Sequence, residues 1–139
     1  MTNTLYIVWS DRNKIGVSII DEQHRVIVAV INSLHYFLQS GQGYEAIGPT
    51  LNMLEQYIEI HFQTEEAIMA EANCSDLEEH IEIHNELREK TRNIVSDANL
   101  GTDPDMVLKF LREWWLGHIN KEDRKNFVCF NKLVGARAS

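Results

Sequence analysis

The sequence predicts an all-α protein, an antiparallel up-down-up-down four-helix bundle with an N-terminal arm and a short C-terminal helix. The 139 residues contain only two prolines and seven glycines, a composition that suits long helices. Apolar residues recur at helical spacing in four segments, which indicates four amphipathic helices. The connections between these segments are short, so neighbouring helices should be antiparallel.

The first two helices are predicted from their apolar stripes and their ends. Asp21 is a candidate N-cap of the first helix, which should end before Ser40 and Gly41. The second helix should cover about 46–72, and Pro49 is compatible with it only in the first turn, where no N–H is needed. Asn73 is then a candidate left-handed residue at the end of this helix.

The later helices have recognisable N-terminal signals. Ser75 followed by Glu78 is a capping-box pattern that opens the third helix. Asp103 followed by Pro104 opens the fourth helix, with the proline at the first helical position. A short final helix is expected over 124–133.

Composition limits the partners and the location. The net charge of −8 disfavours nucleic acid and anionic membranes as partners, and no apolar stretch approaches the roughly 20 residues of a membrane span. The N-terminus lacks a signal-peptide pattern, and two cysteines are too few for a disulfide framework. We expect a cytoplasmic, single-domain protein over residues 1–139, with the arm at 1–20, the bundle at 21–123 and a C-terminal segment at 124–139.

Five of the six histidines should meet at one end of the bundle. In this topology, the starts of the first and third helices lie beside the ends of the second and fourth. Those places hold His24, His61, His80, His84 and His118, together with Glu65. Burying so many polar groups is costly unless they are satisfied, and a metal would satisfy them. His35 lies about 16 Å further along the first helix, so it is predicted to be a packing or hydrogen-bonding residue.

The donor set predicts two metal ions. Five imidazoles and at least two carboxylates exceed the four ligands of a tetrahedral zinc. Near His118, helical spacing favours Glu122 as the second carboxylate, because Asp123 should lie on a different side of a regular helix. Both residues stay open as candidates on this reasoning.

Four segments between Trp9 and Phe127 carry a family pattern: GVSIIDEQH, YIEIHFQTEEAIM, HIEIH and HINKED. In these segments the chain resembles the hemerythrin family in its bacterial single-domain form. The resemblance implies a non-haem di-iron centre, with two iron ions and an oxo or hydroxo bridge, that binds O2 reversibly. It implies that one iron is held by His24 and His61, the other by His80, His84 and His118, and that Glu65 and Asp123 bridge both.

The resemblance implies an oxygen carrier, store or delivery protein rather than an enzyme, with O2 as its ligand. Two alternatives stay open: sensing of O2, NO or redox state through an unidentified protein partner, and removal of peroxide or NO at the same iron pair. Trp114 is expected in the core. Trp115 takes the position of a leucine that lines the family's O2 pocket, so it is either a core residue or a pocket wall that narrows access to the iron.

Overall fold

The described residues of this computed structural model are 5–41, 44–99, 104–114, 117 and 128–130. They form four long helices: α1 (Ser18–Gln39), α2 (Tyr44–Glu71), α3 (Leu77–Asn99) and α4 (Pro104–Trp114). The main contacts between them run around a ring, from α1 to α2, α2 to α3, α3 to α4 and α4 back to α1. The predicted all-α four-helix bundle is confirmed. Residues 128–130 are helical and fall within the predicted final helix, the rest of which lies outside the described residues.

The main hydrophobic core fills the space between the four helices. In α1, Ile27, Ile31 and Leu34 are almost completely buried, and their spacing places them on one face of the helix. Phe62 of α2 and Trp114 of α4 belong to the same cluster. The predicted core position of Trp114 is therefore confirmed.

The N-terminal arm is attached to α1 by a pair of hydrogen bonds. The backbone N–H of Ile7 donates to Oδ1 of Asn32, and Nδ2 of Asn32 donates to the Ile7 carbonyl, both at 2.8 Å. One turn further on, His35 stacks on Tyr6 with ring centroids 4.8 Å apart. This contact confirms that His35 is a packing residue. A short 3-10 helix at Asp11–Asn13 follows in the arm.

The prediction that Asp21 caps α1 was wrong. The helix begins at Ser18, so Asp21 lies in its first turn. Its carboxylate accepts hydrogen bonds from the backbone N–H groups of Ile15 (2.7 Å) and Gly16 (3.0 Å). Asp21 therefore provides hydrogen-bond acceptors for two backbone N–H groups of the loop that precedes the helix. Because these groups have partners, the chain can enter α1 earlier than predicted.

The start of α2 also differs from the prediction, and so does that of α3. Because α2 begins at Tyr44, Pro49 lies inside the helix, beyond its first turn, where it removes one backbone hydrogen bond.

In α3, the N–H of His80 donates to the Asp76 carbonyl at 2.9 Å, so Asp76 rather than Ser75 is at the N-cap. Asn73 has a φ of 56°, which confirms its predicted left-handed conformation.

Cys74 and Cys129 form a disulfide with a Cα–Cα distance of 5.9 Å. It links the turn after α2 to the helical segment 128–130, a pairing that the cysteine count had not suggested. Disulfides are more typical of oxidising compartments, so the cysteines do not support a cytoplasmic location, which stays a prediction. Within the described part of the chain, none of the helices combines the length and apolar character needed to cross a membrane.

Candidate metal centre

Four of the five predicted histidine ligands lie together with Glu65 at one end of the bundle. His24 comes from α1, His61 and Glu65 come from α2, and His80 and His84 come from α3. All five are at most 2% exposed. The spacing of four residues within α2 and within α3 places each pair on one helix face, one turn apart.

The Glu65 carboxylate lies at the centre of this cluster. Its Oε1 contacts Nε2 of His61, and its Oε2 lies 2.9 Å from Nε2 of His80 and 3.7 Å from Nε2 of His84. Nε2 of His24 lies 3.2 Å from Nε2 of His61. All four histidines therefore direct Nε2 toward the region around one carboxylate.

These ligand atoms form two groups that share Glu65. We call His24 and His61 the α1–α2 half of the cluster, and His80 and His84 the α3 half. Within each half, the ligand atoms and a Glu65 oxygen lie within 4.8 Å of one another. Imidazole nitrogen and carboxylate oxygen together suit iron and other first-row metals. The donors thus fit two metal ions with a carboxylate between them.

The outward nitrogen of His61 is fixed by a side chain of α1. Its Nδ1 donates to Oε1 of Gln23 at 2.9 Å, and Nε2 of Gln23 donates to Oγ1 of Thr64 at 3.0 Å. An amide oxygen only accepts hydrogen bonds, so the His61 proton must lie on Nδ1. The lone pair on Nε2 is then directed inward, where a metal can accept it.

The outward nitrogen of His84 has a charged partner. Its Nδ1 donates to Oε2 of Glu66 at 2.7 Å, which fixes the same tautomer as in His61. Phe62 stacks on the His84 ring, with centroids 4.0 Å apart and an angle of 15° between the planes. The ring of His84 is therefore held both by a hydrogen bond and by aromatic packing.

Part of the predicted site lies outside the described residues. This applies to His118, Asp123 and the alternative Glu122, and also to the pocket candidate Trp115. Their roles stay predictions. Of the set predicted from the sequence, the structure brings together the members contributed by α1, α2 and α3.

Sequence reasoning missed Gln23 and Glu66. Each is adjacent in the chain to a predicted ligand, because Gln23 precedes His24 and Glu66 follows Glu65. Adjacency to a predicted ligand was the available signal, but each side chain accepts a hydrogen bond from a histidine on a different helix. The pairing depends on how the helices pack, which helical periodicity does not give.

Comparison with known proteins identifies the family. A family model described as the hemerythrin HHE cation binding domain matches residues 15–129. The chain belongs to the hemerythrin family. A bacteriohemerythrin of Pseudomonas aeruginosa is 32% identical over 119 residues, which cover 85% of this chain and 77% of that protein. A hemerythrin-like protein of Naegleria gruberi is 30% identical over 118 residues, which cover 84% of this chain and 87% of that protein.

The fold agrees with this assignment. A crystal structure of wild-type hemerythrin matches with a TM-score of 0.80 at 26% identity, covering 90% of this chain and 98% of the other. The resemblance inferred from the sequence segments is thus confirmed. Membership of the family indicates a protein that binds non-haem iron and oxygen.

Proposed function

We propose that this chain binds O2 reversibly at a non-haem di-iron centre, as an oxygen carrier, store or delivery protein rather than an enzyme. The observation that carries the proposal is the position of Glu65. One of its oxygens faces the α1–α2 half and the other faces the α3 half, as a carboxylate shared by two metal ions would require. Family membership supports iron as the metal.

The predicted ligands would be divided between two irons. One iron would be held by His24 and His61, the other by His80, His84 and His118, with Glu65 and Asp123 as bridges. When bound, the iron pair supplies the two electrons that O2 accepts and later returns. The protein keeps water away by burying the described ligands, and it fixes the imidazoles of His61 and His84 through their outward nitrogens.

The decisive experiment combines metal analysis with optical spectra. We expect two irons per chain and an absorption band that appears when the reduced protein meets O2 and disappears when O2 is removed. His61→Ala should lose the band, because His61 lies in the cluster. His35→Ala is the matched control and should keep it, because His35 stacks on Tyr6 instead. A wild-type protein with no iron, or with a single zinc, would contradict the proposal.

The alternative functions are separated by kinetics at the same iron pair. Stopped-flow mixing with O2, peroxide and NO should give one stoichiometric binding reaction with O2 if the protein is a carrier or store. Repeated consumption of peroxide or NO would indicate an enzyme instead. A sensor would bind O2 or NO and then change its affinity for a protein partner.

A further inference from the structure

The two histidines with fixed outward nitrogens have partners of different charge. His61 donates to the neutral amide of Gln23, whereas His84 donates to the carboxylate of Glu66. Hydrogen bonds to ionised groups are shorter and roughly twice as strong as neutral ones. The distances agree with this difference, at 2.9 Å and 2.7 Å respectively.

Arg88, one turn after His84 in α3, holds Glu66 in place. Its Nη2 donates to Oε2 of Glu66 at 2.8 Å, the same oxygen that accepts from His84. Its Nε donates to Oε2 of Glu59 at 2.7 Å. The guanidinium also lies over the Phe62 ring, 5.2 Å from its centroid. Glu66 is thus fixed between the ligand His84 and a cation that is itself anchored.

The charges in this network are stabilised by one another. Burial by itself would lower the pKa of Arg88, but the hydrogen bonds and charges of Glu59 and Glu66 outweigh burial and raise that pKa. Burial would likewise raise the pKa of Glu59, but hydrogen bonds from Arg88 and Gln63 lower it. The Arg88 and Glu66 side chains are only 18% and 20% exposed, so water screens this pair less than a surface pair.

We propose that Glu66, held by Arg88, is a positioning residue for the metal ligand His84. Glu66 keeps the His84 proton on Nδ1, so that the Nε2 lone pair is directed toward Glu65, and its charge makes His84 a stronger ligand. The α3 half of the cluster thereby has a charge-assisted support that Gln23 does not give to the α1–α2 half. This inference rests on the proposed function for the identity of the bound metal.

The first test measures how fast a ferrous chelator removes iron from the reduced, full-length protein without O2. Glu66→Ala should release iron about 10- to 100-fold faster than the wild type, as is typical when the outer partner of a ligand is lost. Glu66→Gln keeps an acceptor for the Nδ1 proton but removes the charge, so its rate should lie between the two. The matched control is Glu82→Ala, which removes an exposed carboxylate of α3 and should release iron at the wild-type rate.

Equal release rates in Glu66→Ala and Glu82→Ala would overturn the proposal. Thermal unfolding of each variant shows whether it is folded. If Glu66→Ala is not, the comparison of Glu66→Gln with Glu82→Ala decides the question, because the glutamine variant conserves the shape of the side chain. A rate for Glu66→Gln equal to that of the control would then contradict the role of the charge.

The second test separates this role from general destabilisation and does not require iron. In the zinc-loaded, full-length protein, the proton on Nδ1 of His84 should give a slowly exchanging NMR signal. That protection should be lost in Glu66→Ala and partly kept in Glu66→Gln; equal exchange in all three proteins would refute the proposal. If the wild type held no iron, the proposed function would fail, yet the same signal, recorded with zinc or on the metal-free chain, would still decide the role of Glu66.

Discussion

The α1–α2 half and the α3 half of the cluster are alike where they face each other and different where they face outward. Each half contributes two buried imidazoles and shares Glu65. On its outer side, the α1–α2 half is hydrogen-bonded to the amide of Gln23, which in turn donates to a threonine hydroxyl. The outer side of the α3 half is hydrogen-bonded to Glu66, which forms an ion pair with Arg88. The outer partners therefore give two similar sets of candidate ligands different electrostatic surroundings, and three further experiments test this contrast.

Removing Glu65 should abolish the contrast, because both halves depend on it. We expect Glu65→Ala to lose nearly all iron, since the carboxylate contacts His61 on one side and His80 on the other. Iron per chain, measured on purified protein, gives the answer. The exposed carboxylate Glu82 supplies the control, as Glu82→Ala should retain the full iron content. Retention of both irons in Glu65→Ala would show that the halves are held independently and would contradict the bridging role.

The place of Glu65 beside the histidines could be anticipated from periodicity, whereas its sharing by both halves was implied only by the family resemblance. His61 with Glu65, and His80 with His84, lie four residues apart on helices whose apolar stripes are regular. Short connections between the helices predicted which ends meet. The fold and the described part of the cluster follow from these two regularities.

The outer partners could not be anticipated, because they depend on contacts between helices. Gln23 accepts a hydrogen bond from a histidine of α2, and Glu66 accepts one from a histidine of α3. Which way such a side chain points depends on how far each helix is rotated about its axis, and an apolar stripe limits that rotation only broadly. Asp21 is a similar case, since its carboxylate bonds to the preceding loop rather than to the helix N-terminus.

Breaking the disulfide should destabilise the end of the bundle that holds both halves of the cluster. Cys129 precedes Phe130, which is fully buried and lies edge-on to His80 with centroids 6.4 Å apart. We expect Cys74→Ala to lower the free energy of unfolding by about 2–4 kcal/mol, the usual contribution of one disulfide. Denaturant unfolding of the oxidised proteins measures this loss.

Two controls identify the disulfide as the cause. Cys129→Ala should lose a similar free energy, because it removes the same covalent link. Reduction should destabilise the wild type and leave Cys74→Ala almost unchanged. A wild type that unfolds at the same denaturant concentration with and without reductant would show that the link contributes nothing.

The smallest expected effect comes from Gln23, and it tests the contrast most directly. Gln23→Ala removes the neutral acceptor of the His61 proton, so iron should leave the α1–α2 half faster than in the wild type. The increase should be less than about tenfold, because a neutral hydrogen bond is roughly half as strong as a charge-assisted one. Chelator kinetics on the reduced protein should place this acceleration in one phase of iron release and that of Glu66→Ala in the other. If both variants accelerate the same phase equally, the charge of Glu66 makes no difference to the metal, and the two halves are equivalent despite their different partners.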